Sequence, residues 1–334
     1  MSVTVAAPAS AYAALTGGAG LVDRSERGKL ALTGTEAKDF LQGQVTNDVV
    51  ALEPGRGCYA AFLDHKGKML GDMRVLDAGD ELLLDTERVA LQELFTMIHR
   101  YKLGRDVELH KRTLERGLLS LVGPAAGAVA GAELPGADAA TADGATAALG
   151  TLEHDHAVAE LAGHAVRLVR TDTGIDVYCD AAATPAVAAE LVARGAVAVD
   201  EAAAEIVRVE RGRPRYGLDI DATVIPQEAG LNQRAVSFTK GCYVGQETVA
   251  RLFYRGKPNR QLRGLRLTAP AAPGTEVRLP DGGKVVGRLG TVVTSPRLGP
   301  LALALVRREA PPGSTVAVGD DGARAEVAEL PFTE

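Results

Sequence analysis

Apolar and polar positions alternate along most of this chain with two periods, and the change from one to the other marks out its elements. Short apolar-rich runs bounded by turn residues at Lys29 to Thr33, Cys58 to Leu63, Met69 to Leu76, Glu81 to Leu84 and Val107 to Lys111 predict strands. Leu91, Leu94, Phe95, Ile98 and Tyr101 recur at helical spacing and predict an amphipathic helix over about 86–103. A short helix through Leu41 follows Thr35, whose hydroxyl is placed to cap it. The turn Asp64-His65-Lys66-Gly67 joins two of the strands. Strand, helix, strands, helix, strand is the order of a ferredoxin-like unit.

A related order recurs. Strands are predicted at Leu118 to Val122, Ala165 to Arg170 and Ile175 to Cys179, with helices at Pro185 to Arg194 and Glu201 to Arg211. The Ala/Gly/Asp-rich stretch from Pro124 to Gly150 reads as a loop or frayed helix without chemistry. Beyond Lys257-Pro258 the pattern shifts to short strands separated by turns such as Asp281-Gly282-Gly283, as in a small β-barrel. The expected architecture is therefore α+β. Residues 1–24 form an extended or disordered leader, 25–256 a two-subdomain body (25–115 and 116–256), and 257–334 a barrel.

Composition narrows the picture without changing it. The 334 residues carry 46% hydrophobic and 24% charged residues, ordinary for a globular chain. With no Trp and 4% aromatics, the core must rest on Leu, Val and Ala. The net charge of −6 does not favour a general nucleic-acid binder. No apolar run approaches a membrane span, and the small-residue N-terminus lacks the features of a secretory signal, which points to the cytoplasm. The three cysteines, Cys58, Cys179 and Cys242, form no CxxC pair. They fit a reducing compartment and cannot by themselves supply the usual four ligands of an iron–sulfur cluster.

The densest chemistry is Lys240-Gly241-Cys242-Tyr243-Val244-Gly245-Gln246-Glu247. A thiolate attacks electrophiles or binds metal, and a lysine nearby raises the thiolate fraction. The plain alternative is a small apolar residue filling a gap. Cys58 and Cys179 lie in strand-like runs and read as core thiols. Upstream, Arg208-Val209-Glu210-Arg211-Gly212 offers a carboxylate, Glu210, that either accepts a ligand's paired donors or pairs with Arg211 or Arg213 on a helix surface. Asp72 is an unusual aspartate in a Met- and Leu-rich strand. Asn47-Asp48 either reaches the same cavity or ends the short helix as a turn. Six cations and no acid lie between Arg251 and Arg266, a patch suited to an anionic tail, to an interdomain linker or, least of the three, to RNA. His154-Asp155-His156 is weak evidence for metal and reads as solvated surface.

These tracts resemble the YgfZ-type folate-binding proteins, relatives of the glycine-cleavage T-protein (aminomethyltransferase). Lys240 to Glu247, continued by Ala250-Arg251, is similar to the YgfZ signature. Glu210 to Leu231, Phe40 to Val49 and Asp64 to Asp72 resemble regions found in the T-protein as well. The resemblance implies a folate-binding α+β body with a C-terminal barrel and tetrahydrofolate or a reduced derivative as ligand. It also implies a role supporting iron–sulfur cluster assembly or repair through transient contacts with client or carrier proteins. It assigns Cys242 and Lys240 to the reactive loop, and Glu210 and Asp72 to the pterin and the reacting folate nitrogens. Asn47, Tyr243, Gln246, Glu247 and Arg251 join them as folate contacts, with Glu228 as a further alternative. Gly71 stands where the T-protein motif usually carries the first of two adjacent acids, which weakens a direct transfer of its activity. A folate-dependent one-carbon transferase and a folate-independent thiol redox protein remain the competing readings.

Overall fold

Three sheets organise the chain. The computed structural model describes residues 8–133, 147–280, 283–320 and 322–333. Contacts divide it into two units, and both are discontinuous in sequence: 1–42, 48–60 and 73–204 in the first, 43–47, 61–72 and 205–334 in the second.

In the first unit, the strand Gly28–Thr33 pairs on one side with Leu82–Thr86 and on the other with Glu108–Lys111. With Gly57–Leu63 and Met69–Asp77 these strands make a five-stranded sheet, and the unit boundary falls inside the last two. The helix Leu91–Tyr101 buries Leu94 and Ile98 of its predicted face together with Met97, while Leu91 and Phe95 are half-buried and Tyr101 is exposed. The short helix is Ala37–Gln42, but Thr35 does not cap it. Its hydroxyl donates to Asp106 Oδ2 at 2.6 Å, because an ionised acceptor outcompetes backbone partners.

A six-stranded sheet follows, ordered His156–Leu161, His164–Arg170, Gly174–Asp180, Arg116–Val122, Gly20–Asp23 and Val197–Ala198. One face packs Leu119, Leu121, Leu168, Ile175 and Val177 into a core with the helix Thr184–Ala193. The expected leader is corrected here. Residues 8–17 form a helix with Ala11 and Leu15 buried, and Gly20–Asp23 is an inner strand between Arg116–Val122 and Val197–Ala198. Small residues hid the signal, since an alanine-rich helix packs closely without a periodic stripe of large side chains. Within Pro124 to Gly150 a five-residue helix, Ala126–Ala130, is present, and 134–146 lie outside the described residues.

In the second unit, six strands from Arg260–Leu267 to Ala323–Ala328 close into a barrel. The expected pair Lys284 to Leu289 and Thr291 to Thr294 is one strand, Val285–Ser295, interrupted by a register shift between Leu289 and Val292. Such a bulge lets a long strand bend around a small barrel. The interior is Leu, Val and Ala, including Leu265, Val277, Val286, Ala302 and Val327. The architecture is thus mixed α+β with a closed C-terminal β-barrel. Among the described residues no helix is long and apolar enough to cross a membrane.

Candidate functional site

The candidate site is assembled from three distant tracts of the second unit. Cys242 lies in an irregular loop, is exposed, and is unbridged. The residues on either side of it are not exposed in the same way. Lys240 and Tyr243 are both 8% exposed. The Lys240 ammonium donates to the carbonyls of Val45 (2.7 Å) and Asn47 (2.8 Å) and sits 5.1 Å from the centre of the Tyr243 ring. Burial pushes the Tyr243 phenol up to about 12, so it remains a neutral donor under all ordinary conditions. Asn47 Nδ2 donates to the Arg234 carbonyl at 3.2 Å, and Val244 N–H donates to Gly43 O at 3.2 Å. The structure therefore brings Lys240, Tyr243 and Asn47 together, and gives Lys240 the task of anchoring the cysteine loop to 43–47.

The loop also rests on the Asp64 turn. Asp64 Oδ1 accepts from Lys66 N–H and Lys68 N–H at 2.8 Å each, which locks the turn. Gly245 has φ of 83° and begins the helix Gln246–Arg255. A Cβ there would stand 2.6 Å from Asp64 O and 3.0 Å from the Gly67 Cα. Two glycine turns are thus pressed together, and both need the room and the left-handed backbone that glycine allows. Gly241 has open space around its Cα, so the two glycines of the motif differ in kind.

Glu210 closes the helix Glu201–Glu210 and is 7% exposed, so it is not the exposed helix glutamate of the plainer reading. Its carboxylate accepts from the Ser295 hydroxyl, has Arg297 Nη2 at 3.8 Å, and its carbonyl accepts from Phe332 N–H at 2.9 Å. Asp72 is 5% exposed in the strand Met69–Asp77. Asp48 accepts from Gln42 Nε2 (3.0 Å) and Ala51 N–H (3.3 Å), which makes it a turn-former. Glu228 is 8% exposed and is engaged by Arg260 Nε at 3.1 Å and Ile225 N–H at 3.1 Å. Gln246 N–H donates to Tyr243 O at 3.2 Å, and Glu247 and Arg251 are exposed on the helix they begin and continue.

The cationic stretch is not one patch. Arg260 is committed to Glu228, Arg263 to Glu329, and Arg266 to Thr333 O and the Phe332 ring. Only Arg251, Arg255 and Lys257 are exposed without an ion-pair partner among the described residues. Beside them Phe238 stacks on Phe253 at 3.8 Å, and Phe253 and Tyr254 are 46% and 67% exposed.

One other reading is corrected. His154, Asp155 and His156 are buried (5%, 2% and 4%), in the first unit. Asp155 pairs with Arg56 at 2.7 Å, and burial followed by the Arg167 charge lowers His156 to about 4. The triplet is a buried polar turn, invisible in sequence because its partners are far away in the chain. The Arg208–Asp219 pair was missed as well. The Asp219 side chain is fully buried and accepts from Arg208 Nη1 (2.7 Å), Arg215 N–H (2.9 Å) and Thr291 N–H (2.8 Å). Charged residues in a glycine-rich tract are as readily a joint between helix and barrel as a site. Cys58 and Cys179 are buried, and burial raises the Cys179 thiol.

Comparison with known proteins adds an independent line. The GCVT N-terminal domain family matches residues 4–240. The chain is 31% identical to the tRNA-modifying protein YgfZ of Vibrio vulnificus (strain CMCP6), over 75% of this chain and 72% of that protein. It is 29% identical to the aminomethyltransferase of Geobacillus thermodenitrificans, over 94% of this chain and 86% of that one. Among solved structures, the glycine cleavage system aminomethyltransferase T from Bartonella henselae shares the fold with a TM-score of 0.83 at 24% identity, covering 98% of this chain and 89% of that one.

Proposed function

Because the chain belongs to the YgfZ-type, GcvT-like folate-binding family, we propose that it is a tetrahydrofolate-binding accessory protein that supports assembly or repair of iron–sulfur clusters in client enzymes. The observation that carries this is the contrast within one loop. Cys242 is exposed, whereas Lys240 and Tyr243 on either side are buried and tied down. A thiol meant only to fill space would be inside with its neighbours. A thiol presented on an anchored loop is available to a large partner, such as a cluster carrier. The exposed Phe253 and Tyr254 and the unpaired Arg251, Arg255 and Lys257 flank that loop in sequence and give a transient partner both apolar and cationic contacts.

In this reading Glu210 accepts from the paired N–H donors of the pterin edge, and Asp72 supplies the second buried carboxylate. A carboxylate matches two adjacent N–H donors in one plane, so a ligand carrying that paired donor edge is favoured over one that lacks it. Asn47, Tyr243, Gln246, Glu247 and Arg251 line the same approach. The test is titration calorimetry of the intact chain with reduced folates. Wild type is expected to bind, Glu210→Gln to bind at least about tenfold more weakly, as loss of one charge-assisted bond pair predicts, and Cys242→Ala to bind as wild type. Equal binding by Glu210→Gln would sink the assignment. In cells lacking the wild-type copy, Cys242→Ala is expected to leave client iron–sulfur enzymes at the activity of the deletion, and full rescue would remove the thiol from the mechanism.

A second reading, a folate-dependent one-carbon transferase, is favoured by similarity to aminomethyltransferases over nearly the whole chain. Turnover of an aminomethyl or methyl donor with tetrahydrofolate above background would establish it. Gly71, where the transferase motif usually has an acid, is the reason to rank it second.

A further inference from the structure

A charged cavity of the first unit shares no residue with the folate assignment. It measures about 140 Å³ and is bounded by Lys29, Arg112, Arg116 and Arg167, with Glu81 as its one acid and Leu83, Val158 and Tyr178 among its other walls. Register explains the grouping. Val158, Arg167 and Tyr178 are cross-strand neighbours in one row of the six-stranded sheet, on the face opposite its helix-covered core. In the five-stranded sheet, Arg74, Asp85 and Lys29 form a corresponding row. Arg74 donates to Tyr178 Oη at 3.0 Å and bonds Asp176, so the two rows meet through charge rather than hydrocarbon. The cavity opens at the end of that layer.

The inner charges of the layer are neutralised. Asp85 receives Arg27 at 2.8 Å as well as Arg74, and Asp176 receives Arg74. The cavity walls are only partly so: Arg116 pairs with Asp180, and Arg112 with Glu81 and Glu115, whereas Lys29 and Arg167 bond no carboxylate among the described residues. Lys29 is 2% exposed, and its ammonium is held by two carbonyls, Ser25 O (2.7 Å) and Arg27 O (3.0 Å), not by a carboxylate. Arg167 bonds His156 Nδ1 at 2.9 Å and has no carboxylate partner among the described residues. The Nε of Arg112 is buried and finds no protein acceptor, although its outer nitrogens reach Glu81 and Glu115. Burial holds both the Lys29 ammonium and the Arg167 guanidinium below their usual ranges, outweighing the opposing pull of Asp85 on the first and of Asp80 and Glu81 on the second. Desolvated cations of this kind are stabilised by an oxyanion that replaces the missing water and charge.

We propose that this pocket is a binding site for a small organic anion, with a carboxylate or phosphate head among Arg112, Arg116 and Arg167 and a short aliphatic part against Leu83 and Val158. A cavity of this size encloses about six heavy atoms, which fits a four-carbon acid. The site does not depend on the folate reading, since none of its residues belongs to that assignment.

The experiment is titration of the intact chain, by calorimetry and by NMR, with butanoate, inorganic phosphate and butanamide, the last a neutral isostere of the first. Saturable binding of butanoate or of phosphate, with butanamide at least about tenfold weaker, is expected, and the tighter of the two anions identifies the head group. Arg167→Gln should weaken the anion at least about tenfold, the loss of one charge-assisted contact, while reduced-folate binding stays as in wild type. Should Arg167→Gln fail to fold, Val158→Glu decides the matter. Val158 is 63% exposed, so the substitution is tolerated structurally but places a carboxylate at the pocket. Anion binding equal to that of butanamide, or undiminished in the folded variants, overturns the proposal.

Discussion

Gly241 and Gly245 sit four residues apart in one motif, yet the structure asks different things of them. Gly245 combines a left-handed φ with a backbone oxygen 2.6 Å from where a Cβ would stand, whereas Gly241 has nothing within 4 Å. Gly245→Ala is therefore expected to destabilise the chain by about 1–3 kcal/mol, the usual cost of a non-glycine residue in a sparsely populated backbone region. Gly241→Ala should stay within about 0.5 kcal/mol of wild type. Urea unfolding of the two variants side by side checks this, and equal effects would refute the packing of the two turns. At this scale the sequence was informative about identity but not about task. The exposed cysteine stood out from its neighbours by its setting of glycines and charges. The anchoring role of Lys240 did not, because its acceptors are backbone carbonyls some 190 residues earlier, which no side-chain pattern records.

Among the elements, the helix Glu201–Glu210 carries two functions at once. Its Arg208 enters a buried pair with Asp219 that also receives backbone donors, and its last residue is the candidate folate carboxylate. Losing Asp219 leaves Arg208 with the Glu205 carboxylate, at 2.6 Å, and takes the buried acceptor from the Arg215 and Thr291 N–H groups. Asp219→Leu should cost about 3–5 kcal/mol, and the double variant Arg208→Met/Asp219→Leu should recover part of that loss. A double-mutant cycle in urea measures the recovery, and strictly additive effects would show that the pair is not coupled. The strands and long helices were legible in sequence because large apolar residues fall at fixed periods. The first helix and the strand Gly20–Asp23 were not, because Ala and Gly bury well without marking a face. The long barrel strand was read as two, since a bulge interrupts the alternation that defines a strand.

For the molecule as a whole, acid sensitivity should concentrate in the first unit. His156 is buried neutral there and is lowered to about 4, first by burial and then by Arg167. A histidine with a depressed folded-state value contributes stability above its unfolded value near 6.5, and loses it as pH falls from there toward 4. The loss on going from pH 7 to 4.5 should be on the order of 2 kcal/mol. His156→Gln should flatten the dependence of urea midpoints on pH, and an unchanged slope would place the acid-labile group elsewhere. Asp85 acts in the same direction at lower pH. Burial alone would raise it, but Arg27 and Arg74 hold it well below the usual carboxylate range, so its contribution is present above about 4 and is lost on further acidification. The class of the molecule, α+β with a barrel, followed from the order of periods along the chain. The layer of charges between the sheets did not, because Arg27, Arg74, Asp85 and Asp176 are brought together by strand register and not by any local pattern.

The second unit borrows residues 43–47 and 61–72 from the early part of the chain and completes itself only with 205–334. On a ribosome adding 5–20 residues per second, those early segments wait on the order of ten seconds for the partners that will cover them. Val45 O, already synthesised, has no Lys240 to receive during that interval. Nascent chains stalled before the barrel should thus be preferred substrates for chaperones and proteases, and the half-life of such truncated products, relative to full-length protein, becomes the property that this interleaved chain path dictates.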